Sequence, residues 1–106
     1  MSSGGRPPGK TERRVALERV RGYYESELKG LLAHVESAID GYRAGEIDVH
    51  EVDAVIHRYK KAARRLWVFC WGRGGGSAVI QTAALLDLND PELGPGDWWA
   101  AAEPRR

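Results

Sequence analysis

The sequence predicts an all-α fold: a long antiparallel helical hairpin, a shorter third helix and a C-terminal tail that carries tryptophans. Two long segments, residues 11–44 and 49–71, place apolar side chains at steps of three and four, the spacing of one helix face. The short connection between them holds residues that end one helix and begin another. No segment shows the strict polar and apolar alternation of a half-buried strand.

The first helix is predicted over residues 11–44, after a flexible arm, residues 1–10, that is rich in Gly, Pro and Ser. Thr11 is the expected N-cap. A continuous helix of this length spans about 50 Å. Its first half is expected to be less stable, because Arg21 interrupts the apolar stripe and Gly22 costs about 1 kcal/mol relative to alanine. The stripe consists of Leu17, Val20, Tyr24, Leu28, Leu31, Leu32, Val35, Ala38, Ile39 and Tyr42.

The connection between the two long helices is the clearest local signal in the chain. Gly45 suits the left-handed backbone conformation that often ends a helix. Asp48 is expected to cap the second helix, with Glu51 completing a capping box and Ile47 packing on Val52 as a hydrophobic staple. Because the connection is so short, the two helices are predicted to be antiparallel neighbours.

The second helix is predicted over residues 49–71. Its apolar seam is wider than a two-stranded coiled coil needs, which favours a bundle of three or four helices. The last turns, residues 66–71, are apolar around the whole circumference, so another element must cover them. The seam consists of Val49, Val52, Ile56, Tyr59, Ala63, Leu66 and Cys70, widened by Val55, Ala62 and Phe69.

A third helix is predicted over residues 78–88, with Ser77 as its cap. The three helices form one helical domain, residues 11–88, followed by a tail, residues 89–106. The tail is rich in Pro and Gly and irregular, except for a short helical turn predicted at 98–103. A domain of this size has room for one modest core, and domains this small often gain buried area from a partner.

Composition predicts a cytoplasmic protein without strong electrostatic attraction to nucleic acid or membranes. The 106 residues include 16 basic and 15 acidic side chains, a formal net charge of +1. The single cysteine, Cys70, cannot form an internal disulfide. The N-terminus lacks the apolar stretch of a signal peptide, and no run approaches the ~18 apolar residues of a membrane span. Twelve of the 16 basic residues are arginine, a bias typical of GC-rich bacterial genomes.

A glycine-rich loop before the third helix is a candidate anion site. Glycines let the backbone approach an anion closely, and a helix N-terminus presents free N–H groups to it. The loop lacks the lysine of a P-loop, and a helix precedes it instead of a strand, so the context of that motif is absent. The alternative is a flexible linker. The candidate residues are Arg73, Gly74, Gly75, Gly76 and Ser77.

Metal and catalytic chemistry have little support in the sequence. His50, Asp53 and His57 share one side of the second helix, but the two histidines are separated by about 10 Å of helix, too far to hold one ion easily. No nucleophile or pair of carboxylates comes with an arranged partner. We therefore predict a non-enzymatic protein, with no catalytic residue, metal site or cofactor.

Nucleic-acid binding is the alternative function, because the outer face of the second helix carries a basic stretch that could follow a phosphate backbone. Glu51 and Asp53, one turn earlier, dilute its charge, and a charge run on a helix is commonly its solvated side. The basic stretch consists of Arg58, Lys60, Lys61, Arg64 and Arg65.

The four tryptophans point to an interaction function, since aromatic anchors are enriched where proteins bury surface against partners. The alternative is internal packing, with Trp98 and Trp99 folded back over Trp67 and Trp71. The first helix is also longer than the second by about 15 Å, and a helix of about three turns is too short to cover both this overhang and the wide seam.

The function predicted from the sequence is a small non-enzymatic interaction module, such as an adaptor, an immunity protein or an antitoxin-like component. It is expected to form a homodimer or to bind another protein, and not to bind a membrane. The predicted interface residues are Leu17, Tyr24, Leu66, Trp67, Phe69, Trp71, Trp98 and Trp99.

Overall fold

A computed structural model of the chain describes residues 9–72, 74, 78–88 and 97–104. This part contains four helices and no strand, which confirms the predicted all-α fold. The helices are α1 (Lys10–Arg43), α2 (Val49–Trp71), α3 (Ala78–Leu88) and α4 (Trp98–Ala101). Residues 1–8 of the predicted arm, most of the glycine-rich loop with Ser77, and residues 89–96 of the predicted tail lie outside the described residues.

The start of α1 differs from the prediction. Gly9 occupies the N-cap position in an extended conformation, and no side chain caps the helix there. The Arg13 N–H donates to the Gly9 carbonyl oxygen at 3.1 Å. Thr11 therefore lies inside the first turn, and the prediction that it caps α1 is wrong. The end of the helix is exposed, so water can satisfy the remaining N–H groups.

The turn between α1 and α2 follows the local signals in the sequence. Gly45 adopts a φ of +78°, the left-handed conformation predicted for it. The Asp48 carboxylate accepts a hydrogen bond from the Glu51 backbone N–H at 2.9 Å, which confirms Asp48 as the cap of α2. Ile47 lies over Gly41, where an added Cβ would stand 3.5 Å from Ile47 Cγ1. The turn thus fixes how α2 folds back along α1.

We expect Asp48→Ala to lower the free energy of unfolding by about 1 kcal/mol, the usual cost of a lost N-cap hydrogen bond. Chemical denaturation followed by circular dichroism measures this. Asp48→Asn is the matched control, because asparagine caps as well as aspartate. Equal stability of the wild type and the alanine variant would show that the cap contributes nothing to folding.

The core lies between α1 and α2, and α3 and α4 complete it at different places. α3 packs mainly on the N-terminal half of α1, the overhang beyond α2, where Ala16 and Val20 are buried. The Arg19 Nε donates to Asp87 Oδ1 of α3 at 3.1 Å. α4 packs mainly on α2. The overhang and the seam are therefore covered by separate elements, α3 and α4.

Candidate functional site

The C-terminal segment, residues 97–104, is anchored in a groove between α1 and α2 by Trp98. The Trp98 indole N–H donates to the Tyr23 hydroxyl oxygen at 2.8 Å. The Trp98 ring centroid lies 5.5 Å from that of Phe69. The Asp97 carboxylate accepts from the Ala100 N–H at 3.0 Å and caps α4. One tryptophan of the tail is thus part of the core of the single chain.

Two arginines of α2 bind the backbone of α4. Arg58 donates from Nε and Nη2 to the Trp99 carbonyl oxygen at 3.0 and 2.8 Å, and its guanidinium lies 4.5 Å from the Trp99 ring centroid. Arg65, the second of these arginines, donates from Nη1 to the Ala101 carbonyl oxygen at 2.6 Å. The Trp99 ring also stacks on His34 with centroids 4.0 Å apart. The Trp99 carbonyl oxygen also accepts the Ala102 backbone N–H at 3.2 Å, so Arg58 adds side-chain donors to a carbonyl that already has a backbone partner.

These contacts divide the basic stretch on which the nucleic-acid alternative depends. Arg58 and Arg65 point to α4 and are bound to its carbonyls. Lys60, Lys61 and Arg64 are exposed. Two of the five cations of the predicted stretch are therefore hydrogen-bonded to carbonyls of α4, although Arg65 stays exposed.

A small polar cluster lies under α4. Burial raises the pKa of Glu27, and the nearby negative charge of Asp97 raises it further. Burial also raises the pKa of Tyr23, although the hydrogen bond from Trp98 opposes this. Burial and the charge of Glu27 together raise the pKa of the Cys70 thiol to about 12. At neutral pH the Cys70 side chain is therefore a thiol, the weakly nucleophilic form.

We expect Glu27→Gln to stabilise the protein at neutral pH. Burial raises the pKa of Glu27, so the folded state holds the Glu27 proton more tightly than the unfolded chain does. The protein therefore loses stability as the pH rises from the pKa of Glu27 in the unfolded chain through its pKa in the folded state. The variant should therefore unfold at higher urea concentration than the wild type near pH 7 and at a similar one near pH 4. The matched control is Glu18→Gln, an exposed position of α1. A gain in stability of the same size at both pH values would show that the charge of Glu27 is not its cause.

The opposite side of the hairpin has no helix packed on it in the described part of the chain. Arg65 and Trp67 flank the core residue Leu66 in the sequence of α2, and each side chain is rotated by about 100° from that of Leu66. The Arg65 side chain reaches α4, so the Trp67 side chain points to the opposite side of the hairpin. Leu32 follows the core residue Leu31 in the same way. In an antiparallel pair both side chains emerge on one side of the hairpin.

We name this side the uncovered face. Trp67 is 50% exposed and Leu32 is 42% exposed. The Trp71 ring packs edge-on against Tyr24 at a centroid distance of 5.9 Å near the open end of the hairpin. The exposed members of the uncovered face are Leu17, Leu32, Tyr42, Val49 and Trp67. Its half-buried members are Tyr24, Leu28, Val35, Ile39, Ile56 and Trp71, of which Tyr24, Leu28 and Trp71 also pack against the core.

The structure places the eight predicted interface residues in two groups. Leu66 and Trp98 are buried in the core, and Phe69 and Trp99 pack at the α4 groove. Of the other four, Leu17 and Trp67 are exposed on the uncovered face, and Tyr24 and Trp71 are half-buried at its edge, where they pack on each other and against the core. Sequence reasoning assigned the α1 members Leu28, Leu32, Val35 and Ile39 to the core stripe, and the width of that stripe was the signal that some of them face outward.

The candidate anion loop falls largely outside the described residues, namely Arg73, Gly75, Gly76 and Ser77. Gly74 is described and has a φ of +69°, a left-handed conformation that favours glycine. The helix that follows the loop, α3, begins at Ala78.

Other clusters of polar residues are on the surface. His57 Nε2 lies 3.3 Å from Asp53 Oδ2, and both side chains are exposed. In the described ranges, no three side chains of His, Cys, Asp or Glu are grouped to hold a metal ion.

Two grooves lie on the surface of the described residues. A groove of about 550 Å³ runs beside Trp99 to the hairpin turn, and one of about 450 Å³ lies between α1 and α3.

No helix within the described ranges is both long enough and apolar enough to cross a membrane. Comparison with protein-family models, with curated proteins and with solved structures found no match. The functional interpretation therefore depends on the geometry of the chain itself.

Proposed function

We propose that the protein is a non-enzymatic helical interaction module that binds a protein partner through the uncovered face. One observation carries the proposal: α3 and α4 both contact one side of α1, and the other side of the hairpin keeps large apolar side chains in solvent. Arg19, which bonds Asp87 of α3, and Tyr23, which bonds Trp98 of α4, are four residues apart and so lie on the same face of α1. Such a module suits an adaptor, an immunity protein or an antitoxin-like component.

The composition of the uncovered face supports a protein partner. Contiguous exposed apolar patches on soluble proteins mark interaction sites, and tryptophan and tyrosine are enriched among the residues that dominate binding. Trp67 and Tyr42 are each half-exposed at opposite ends of this face. Charged side chains border it, including Glu25 and Lys29 of α1 and Arg64 of α2. An apolar centre with a charged rim is the usual anatomy of a protein interface.

The groups that could perform chemistry have structural roles, which supports a non-enzymatic function. Tyr23 accepts the hydrogen bond that anchors Trp98. Cys70 is buried, and its thiol pKa of about 12 disfavours the reactive thiolate. A single buried thiol is also compatible with the reducing cytoplasm, where we place the protein.

Site-specific photo-cross-linking in the source cells tests the proposal. A benzoylphenylalanine at position 67 lies on the uncovered face, and one at position 61 lies on the outer side of the same helix and serves as the matched control. We expect a discrete protein adduct, identified by mass spectrometry, from position 67 and none from position 61. No adduct from position 67, or equal adducts from both positions, would contradict the proposal.

A further inference from the structure

We propose that the groove that holds the C-terminal segment is a recognition site, which binds residues 97–104 of a second copy of this chain as well as its own. We name this site the α4 seat, and it consists of Tyr23, His34, Arg58, Arg65 and Phe69. The α4 seat lies on the side of the hairpin opposite the uncovered face. The inference therefore concerns a second site and does not depend on the proposed function.

The contacts that hold α4 come from the hairpin. Among the described residues, the backbone of α4 packs on α1 and α2 and not on α3. A helix of four residues has no stability of its own in water, so the hairpin maintains its structure. The segment is joined to α3 through residues 89–96. Because its hydrogen-bonding and ring partners lie on α1 and α2, the hairpin of a second copy offers the segment the same contacts.

Trp98 is the anchor of the segment. Its side chain is 5% exposed, and its indole N–H donates to the Tyr23 hydroxyl oxygen at 2.8 Å. The Trp98 ring centroid lies 5.5 Å from that of Phe69. A tryptophan that fills a pocket and makes one directed hydrogen bond is typical of the residues that dominate binding between separate chains. Tyr23 belongs to α1 and Phe69 to α2, so the hairpin supplies both of these contacts.

Main-chain carbonyls of the segment supply a second set of contacts. Arg58 donates two hydrogen bonds to the Trp99 carbonyl oxygen, and Arg65 donates one to that of Ala101. Hydrogen bonds from a charged donor are stronger than neutral ones. His34 stacks on the Trp99 ring, and the Arg58 guanidinium lies 4.5 Å from the centroid of that ring. The α4 seat therefore favours a helical turn with two adjacent tryptophans and holds it in one direction.

The segment carries the signals for its own turn. The Asp97 carboxylate accepts from the Ala100 N–H at 3.0 Å, and the Asp97 carbonyl oxygen accepts from the Ala101 N–H at 3.1 Å. These bonds join residues three and four positions apart, so they form in a segment from any copy. The α4 seat therefore binds this short sequence whether or not the two belong to one chain.

The chain's own segment competes with a segment from outside. A short linker gives an attached ligand an effective concentration on the order of 1 mM. At micromolar protein the attached segment therefore fills the α4 seat. Binding of a second copy requires either a protein concentration near that value or a seat whose own segment lacks the Trp98 anchor.

Fluorescence anisotropy with a labelled synthetic peptide of residues 97–104, Asp-Trp-Trp-Ala-Ala-Ala-Glu-Pro, tests the inference on the full-length protein. The Trp98→Ala variant keeps the α4 seat without the anchor, and we expect it to bind the peptide at least tenfold more tightly than the wild type does. A peptide with alanine in place of its first tryptophan should not bind. Adding Arg58→Gln to the variant should weaken binding on the order of tenfold, because hydrogen bonds from a charged donor are lost. The matched control is Lys61→Gln, on the outer side of α2, which should leave peptide binding unchanged.

Two full-length variants test binding between copies by sedimentation velocity. Trp98→Ala keeps the α4 seat and lacks the anchor. The second variant carries Arg58→Glu and Arg65→Glu, which keep Trp98 and place carboxylates against the carbonyls that the arginines bind. The mixture should contain a larger species that is absent from each variant alone, because Trp98 of the second variant fills the seat of the first.

Circular dichroism shows whether Trp98→Ala is folded before the titration. If it is unfolded, the peptide should restore its helicity, since a ligand that binds the folded state stabilises that state. The inference would be overturned by a folded variant that does not bind the peptide, by an unfolded one that does not recover, or by equal binding of the peptide that lacks the first tryptophan. Peptide binding without a larger species in the mixture would overturn the binding of a second copy. None of these results changes the cross-linking from position 67, which lies on the other side of the hairpin.

Discussion

Replacing Trp98 with alanine is expected to lower the free energy of unfolding by about 3–5 kcal/mol, the range for truncating a buried tryptophan. The Trp98 side chain is 5% exposed, and its ring packs near Phe69. Its loss leaves a cavity between α1 and α2 and removes the partner of the Tyr23 hydroxyl. Urea denaturation measures the effect, and protease sensitivity within residues 97–104 should rise because α4 is released.

The matched control is Trp99→Ala. Trp99 is only partly buried, and its backbone carbonyl, which Arg58 binds, remains in the variant. We expect a smaller loss, limited to the ring contacts with Arg58 and His34. If Trp98→Ala unfolds at the wild-type urea concentration, α4 is not part of the cooperative core and the assignment of Trp98 is incorrect.

Leu66→Ala is the second substitution with a large expected effect, a loss of about 2–5 kcal/mol of stability. Leu66 is fully buried between α1 and α2, and the surrounding helices cannot close the space that a leucine fills. Chemical denaturation at low protein concentration measures it, since association then contributes least to the apparent stability.

The neighbouring residue is the informative control for Leu66. Trp67 is larger but half-exposed, so Trp67→Ala should change the stability of the isolated subunit by less than about 1 kcal/mol. It should instead weaken association, because Trp67 belongs to the uncovered face. A larger stability loss at low concentration for Trp67→Ala than for Leu66→Ala would contradict the division between core and interface.

The hairpin could be predicted because its signals are local. Gly45 requires only its own φ angle, and the Asp48 carboxylate bonds an N–H three residues away. The apolar periodicity likewise predicts the first and last residues of the two long helices to within a few positions. The one incorrect cap, Thr11, lies where Gly9 allows the exposed helix to begin two residues earlier.

The candidate site was predicted only in part, because core and interface residues look alike in sequence. Leu66 and Trp67 are adjacent and apolar, and only the position of α4 shows that one side chain faces the core and the other solvent. The tryptophans of the tail were interpreted as either core or interface, and in the structure Trp98 is core. The α1 members of the uncovered face were not singled out, because they belong to the same stripe as core residues.

The sequence by itself determined where the long helices lie, how they turn and that their apolar stripes are wide. Only the tertiary structure decided which edge of those stripes is covered. The contacts that decide it are between residues far apart in the chain: Arg58 reaches the Trp99 carbonyl 41 positions away, and Trp98 bonds Tyr23 75 positions away. Helical periodicity records the angle of a side chain around its own helix and carries no information about which distant segment packs there. The uncovered face is therefore a consequence of where α3 and α4 pack.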